Sequence, residues 1–168
     1  MSPMNTTANA DYLLKYSLLT VDMTVKKLKK ASIKYLLHIL NPNIEKVEIV
    51  ADHCVVSKIT LDGSLMMFSQ GLNTTRVQMP TNYQVDEHSI MEIHYTTQID
   101  GPWTLCAGNN IPSLQGYGDF AVHEVKLVTH DANDYKLSDV QILSKTPLPQ
   151  KFVYHYVRTN QEANIVLG

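Results

Sequence analysis

His88, Glu92 and His94 stand at even spacing in the chain. If this stretch is extended, their side chains share one face. Two imidazoles and a carboxylate are donors that suit a transition metal. His88 and His94, however, would lie about 20 Å apart at ~3.3 Å per residue, too far to share one ion. Glu92 and His94 could do so only with a third donor from another strand, such as His123. The plainer reading is the wet face of a half-exposed strand, and neither a metal site nor a cofactor is expected. His123-Glu124 begins like a zinc-protease helix, but four residues after His123 stands Leu127 rather than a second His. Cys106 and Ser113 lack a local nucleophile signature such as GxSxG. Gly116-Tyr117-Gly118-Asp119 leads into a strand, so no helix N-terminus waits there for a phosphate. If the chain is an enzyme, Tyr95, His94 and His123 are the candidates for proton transfer, in a cofactor-free isomerase or cyclase.

Trp103, Tyr117 and Phe120 flank a glycine-rich loop at 101–118. Aromatics beside such a loop can line a ligand mouth. They can also plug one end of a core, and for the lone Trp the plug is preferred. An apolar pocket, if the fold encloses one, would be lined by Met67, Met91, Trp103, Tyr117, Phe120 and Tyr156.

The elements that must position these residues are read from a period of two. Val47, Ile49 and Ala51 fall on one face, as do Val55, Ile59 and Leu61. Met91, Ile93 and Tyr95 follow, then Ala121, Val125 and Leu127, then Phe152, Tyr154 and Tyr156. Alternation lets one side bury while the other stays wet, which marks antiparallel β-structure. Strands are expected near 12–25, 45–51, 54–61, 65–69, 75–79, 89–97, 119–129, 138–143 and 151–158. Residues 24–40 fit either a helix face (Val25, Leu28, Tyr35, Leu36, Ile39) or a strand face (Ala31, Ile33, Tyr35, Leu37, Ile39). The strand is favoured because Asn41-Pro42-Asn43 then turns between two β runs. Asp62-Gly63 predicts a tight hairpin, since that pair accepts positive φ cheaply. Residues 1–10 read as a flexible arm, and 11–168 as a single β domain.

Composition narrows the function. The 168 residues carry a formal net charge of −2, and a nucleic-acid binder should instead show a basic stripe. The one basic cluster, Lys26-Lys27-Leu28-Lys29-Lys30, reads as a solvated turn between strands. Cys54 and Cys106 match no CxxC or zinc spacing. No signal peptide or bilayer-spanning run is visible, so a cytoplasmic location without membrane contact is expected. Charged residues are only 18%, below the usual share of about a quarter. A weakly charged surface with Tyr and Met suits an interface, so a protein partner or self-association is expected.

From Tyr16 to Gly63 the chain resembles the opening of the N-terminal β-domain of M1-family aminopeptidases. The matching residues are Tyr16, Val21-Asp22-Met23, Leu28, Ile33, Leu37, Asn41-Pro42, Val47-Glu48-Ile49, Val55, Ile59 and Leu61-Asp62-Gly63. Val77-Gln78-Met79-Pro80 and Met91-Glu92-Ile93-His94-Tyr95 fall where that family has its next strands. The resemblance covers about half the chain and ends after Gly101. It implies a noncatalytic β-domain and carries over no functional residue. The glycine spacing of Leu105-Cys106-Ala107-Gly108 and Leu114-Gln115-Gly116-Tyr117-Gly118-Asp119-Phe120 is similar to the hairpin of allene-oxide-cyclase-like and dirigent-like barrels. Such barrels bind hydrophobic molecules.

The expected fold is therefore an all-β antiparallel sandwich of about eight to ten strands, preferred because the strands are short and uneven. A closed calycin-like barrel is the alternative. The expected function is a noncatalytic binding, assembly or scaffold module. A barrel holding an apolar small molecule is the second reading.

Overall fold

The structure, a computed structural model, describes residues 11–22, 28–51, 54–80, 84, 87–98, 103–104, 106–107, 110–114, 124–129, 135–138, 140–148, 151–158 and 164–167. All regular structure among these residues is β. In chain order the strands are β1 (Tyr12–Asp22), β2 (Leu28–Ile39), β3 (Lys46–Val50), β4 (Val55–Leu61), β5 (Ser64–Leu65), β6 (Phe68–Gln70), β7 (Thr74–Gln78) and β8 (His88–Gln98). Then come β9 (Trp103–Thr104), β10 (Cys106–Ala107), β11 (Asn110–Ile111), β12 (Ser113–Leu114), β13 (Glu124–Thr129), β14 (Tyr135–Ser138), β15 (Val140–Leu148), β16 (Lys151–Arg158) and β17 (Asn164–Leu167). Among the described residues no helix is long and apolar enough to cross a membrane.

An eight-stranded sheet runs β15-β16-β13-β1-β2-β8-β4-β5, and a four-stranded sheet runs β12-β3-β7-β6. A smaller sheet joins β14, β17 and β9, and β10 pairs β11. The large sheet is open, ending in β15 and β5. Among the described residues no closed barrel is formed, and the sandwich expectation holds. The cyclase-like reading loses the enclosing wall it required.

Core side chains come from the odd-numbered positions of β1, β2, β3, β7, β8 and β13. Leu19, Ile33, Ile93 and Ile59 form one register row across four neighbouring strands, and all four are fully buried. Val47, Ile49, Val77 and Leu114 supply the inner face of the four-stranded sheet, within the same core cluster. Each fully buried aliphatic contributes roughly 1.5–3 kcal/mol by leaving water.

Residues 28–39 are a strand, as favoured, and Leu28–Lys30 of the basic cluster begin it rather than sitting in a turn. Side-chain hydrogen bonding closes the turn after β2. Asn41 Nδ2 donates to Asp11 Oδ1 at 2.8 Å, and the Asn43 N–H donates to Asn41 Oδ1 at 2.9 Å. The first strand is described only to Asp22; Met23–Lys27 and residues 1–10 lie outside the described residues.

Three features depart from simple alternation. On β4 the register shifts between Val56 and Lys58, so Val56 is buried whereas Val55 is 63% exposed. The expected partner of Ile59 and Leu61 on the inner face was Val55; a bulge moves that role to its neighbour. Second, β1 and β13 pair in parallel, as do the short β10 and β11. About a hundred residues separate β1 from β13 in the chain, so no hairpin dictates their sense. Third, the 101–118 loop contains β9 to β12, and β17 adds a strand not expected from the sequence. Ordered side-chain bonds tie the two main sheets together. Gln70 Nε2 donates to the Cys54 carbonyl at 2.9 Å, and its Oε1 accepts the Val56 N–H at 3.2 Å. The amide thereby satisfies two backbone groups where the chain passes from β3 to β4.

The Asp62-Gly63 hairpin turn is observed, with φ of 51° and 87°. Nothing lies within 4 Å of a Cβ placed on Gly63, so Gly63→Ala tests backbone conformation alone. It should lower stability by about 1 kcal/mol in urea unfolding, and the melting temperature by about 2–4 °C. An unchanged curve would show that this turn does not constrain the hairpin.

Candidate docking face

From Tyr16 on β1, along β2, β8 and β13, and at Lys58 and Thr60 on β4, the even-numbered side chains turn away from the core. Register aligns them into rows that cross five strands. One row is Glu124, Leu18, Lys34, Glu92 and Thr60; the next is Lys126, Thr20, Ser32, His94 and Lys58. Beside the first lies an apolar row, Tyr16, Leu36 and Ile90. Tyr16 is 37% exposed and Ile90 49%, with Leu36 half-buried between them.

Glu92 is the centre of a paired group on this face. His94 Nε2 lies 2.6 Å from Glu92 Oε1, and Lys34 Nζ lies 3.7 Å from Glu92 Oε2. Glu92 and His94 thus share a face, as their spacing implied, and spend their polar atoms on each other and on Lys34. The Tyr16 hydroxyl donates to the Glu124 carboxylate. Lost hydration first, and then the hydrogen bond to and charge of Glu124, push its pKa up to about 12.

Tyr95 is one residue from His94 but faces the opposite way. It is fully buried, and burial drives its hydroxyl pKa well above the ordinary value, with smaller contributions from Cys54 and Tyr35. Its hydroxyl has no hydrogen-bond partner among the described residues. Tyr35, in the same core, differs: its hydroxyl donates to the Pro112 carbonyl. That bond fastens β2 to the segment entering β12, which pairs β3 in the other sheet. The sheet itself therefore separates Tyr95 from His94.

The other candidates are dispersed. His88 is not near His94 but stacks on His38 across the β2–β8 ladder, with centroids 4.6 Å apart and planes at 12°. Met91 is fully buried beneath the large sheet, whereas Met67 is 84% exposed. Trp103 lies on β9 opposite Leu167, and Tyr156 on β16 opposite Val125. His123, Tyr117 and Phe120 lie outside the described residues. Among the described residues no three His, Cys, Asp or Glu side chains converge as a metal-binding group. The sequence reading missed Tyr16–Glu124, Lys34–Glu92 and His38–His88. Each pair joins residues distant in sequence, and register alone brings them together. Only the even parity of the two partners within each pair could have hinted at them.

Two tyrosines give opposite expectations. Tyr35→Phe strands the Pro112 carbonyl and should destabilise by about 1–2 kcal/mol in denaturant unfolding. Tyr95→Phe removes a buried hydroxyl that lacks a partner and should be neutral or stabilising. A loss for Tyr95→Phe equal to that for Tyr35→Phe would contradict this assignment. On the outer face, the Tyr16 ring should titrate at about 12 by NMR, and Glu124→Gln should bring that midpoint down towards the ordinary value. Because the folded value is raised, Tyr16 contributes its stability fully below pH 10 and loses it as pH rises through about 12. An unmoved midpoint in Glu124→Gln would remove the carboxylate as a cause.

No protein-family model matches this sequence, and no curated protein matches it. Solved structures do match its fold. An M1 zinc metallopeptidase from Deinococcus radiodurans superposes with a TM-score of 0.68 at 10% identity, covering 95% of this chain and 43% of its own. Legionella pneumophila aminopeptidase A gives 0.67 at 10%, covering 95% and 22%. A two-domain M1 zinc metallopeptidase gives 0.71 at 7%, covering 95% and 43%. The chain thus spans less than half the length of these structures. The likeness runs well past Gly101, where the sequence motifs stop carrying it. This chain has the fold of the N-terminal β-domain of M1-family zinc aminopeptidases.

Proposed function

We propose that this chain is a noncatalytic β-sandwich module that packs against a second folded protein domain through the outer face of its large sheet. The observation that carries this reading is the apolar row Tyr16–Leu36–Ile90, set in register across β1, β2 and β8. A Lys34–Glu92 ion pair and a His94–Glu92 contact are already formed within the face. Contact there sheds water from an apolar strip whose neighbouring carboxylate, Glu92, already has its partner in Lys34. The match to somewhat under half of a two-domain protein supports the same reading, since it corresponds to one module of a larger assembly.

The module would recognise by shape and a modest apolar strip. It would work as a single β domain from residue 11 onward, with a protein partner and no cofactor. Neither His94 nor Tyr95 has a proton-transfer role in this reading.

A photo-crosslinking side chain placed at Ile90 in the cell that makes the protein tests it. Ile90 should give one discrete protein adduct. Lys46, exposed on the other sheet, should give none. Equal labelling at both positions, or no adduct at Ile90, would refute the docking face. Zinc-dependent hydrolysis of an aminoacyl amide by the purified chain would refute the noncatalytic assignment.

A further inference from the structure

The segment from Ser64 to Leu72 lies at the edge of both main sheets. Its first part, β5, ends the eight-stranded sheet, and its last part, β6, ends the four-stranded sheet. The Met66 N–H donates to the Ile59 carbonyl at 2.9 Å, while the Met67 carbonyl accepts from the Gln78 N–H at 3.2 Å. The chain therefore changes sheets between Met66 and Met67. Met66 and Phe68 turn inward against the core. Leu65, Met67 and Leu72 turn outward and are 74%, 84% and 94% exposed.

Free edges of sheets are usually blunted with charge, proline or a bulge, because they invite another strand. The neighbouring edge of β4 is blunted in this way. It carries a bulge and Lys58, and the Gln70 amide occupies its Cys54 and Val56 backbone groups. β6 has no such device. From Ser64 to Thr75 there is neither a charged residue nor a proline. The Met67 carbonyl and the Gly71 N–H, which donates to the Thr74 carbonyl, both point at β7. Ladder alternation then turns the N–H and C=O of Phe68 and Gln70 to the open side.

We infer that β6 pairs antiparallel with β6 of a second copy of this chain, about a two-fold axis at Ser69. Phe68 then faces Gln70 of the second copy, and four backbone hydrogen bonds close the pair. Met67 comes alongside the Gly71–Leu72 turn of the other copy, so the most exposed apolar side chains cover one another. The four-stranded sheet continues across the dyad as eight strands. A second copy fits this edge because a two-fold axis sets the edge against itself, so that any charge on it would meet its own sign close by. That is repulsive for a charged edge and harmless for one without charge. A net charge of −2 adds little repulsion at longer range. The contact is small and should be concentration-dependent. It is separate from the docking face and does not rest on it.

Sedimentation equilibrium across a wide concentration range tests the pairing, together with amide hydrogen exchange. The mass should rise from 19.0 kDa towards twice that value, and the Phe68 and Gln70 amides should exchange more slowly as concentration rises. Met67→Lys should weaken the dimer about tenfold or more. At concentrations where the chain is monomeric its melting temperature should be unchanged, since the side chain is exposed. Leu72→Lys should act in the same direction, and Ile90→Lys should leave the dimer intact. A monomer at every concentration would overturn the inference. So would a dimer indifferent to both Met67→Lys and Leu72→Lys, or one lost with Ile90→Lys, which would place the contact on the docking face.

Discussion

Everything in this molecule hangs on the register of β2 between β1 and β8. Ile33 sits opposite Leu19 on one side and Ile93 on the other, and all three are fully buried. The same row reaches Val125 through Leu19 and Ile59 through Ile93. A slip of one residue would exchange the faces of a whole strand. In β2 Lys34 would then enter the core and Ile33 face water; in β8 Glu92 would enter and Ile93 face water. Burying those two charges costs far more than any ladder bond could return. The apolar row is thus both the main source of stability and the device that selects one pairing.

The outer face follows from that choice. Once the odd positions of β2 and β8 are committed to the core, their even positions must align with each other. Glu92 is thereby brought to Lys34 across the ladder and lies two residues from His94 on its own strand. Tyr16, Leu36 and Ile90 form an apolar row for the same reason. Nothing on this face needed a local motif. The face is the reverse side of the core, and its composition decides whether it stays wet or takes a partner. The split also explains why His94 and Tyr95, adjacent in the chain, cannot act together. One belongs to each side of the sheet.

Much of the fold was legible because alternation is a local signal. β2, β3, β8 and the Asp62-Gly63 turn stand where the apolar period and the turn residues put them. The phase of β4 was not legible, since Val55 and Val56 are both strand-forming and only the ladder reveals the bulge between Val56 and Lys58. The parallel pairing of β1 with β13 was hidden too, because it joins segments on either side of a long excursion. β17 carries only four residues, Asn164–Leu167, too few for a period to declare itself. Of the candidate residues, the shared face of Glu92 and His94 could be read from spacing. The Tyr16–Glu124 and His38–His88 pairs could not, because register is a property of the assembled sheet. The likeness to metallopeptidase domains extends the same lesson. At 7–10% identity the fold is still matched over 95% of the chain.

The division of β8 into a dry side and a wet side can be measured directly. In a background where Cys54 and Cys106 are replaced by alanine, single cysteines would be placed along the strand and exposed to a thiol reagent. Ile90→Cys, Glu92→Cys and His94→Cys should react promptly in the native protein. Met91→Cys, Ile93→Cys and Tyr95→Cys should react only when denaturant opens the fold. Uniform reactivity along the strand, or protection recurring at every third or fourth residue, would contradict the two-sided sheet on which the fold and both proposed contacts depend.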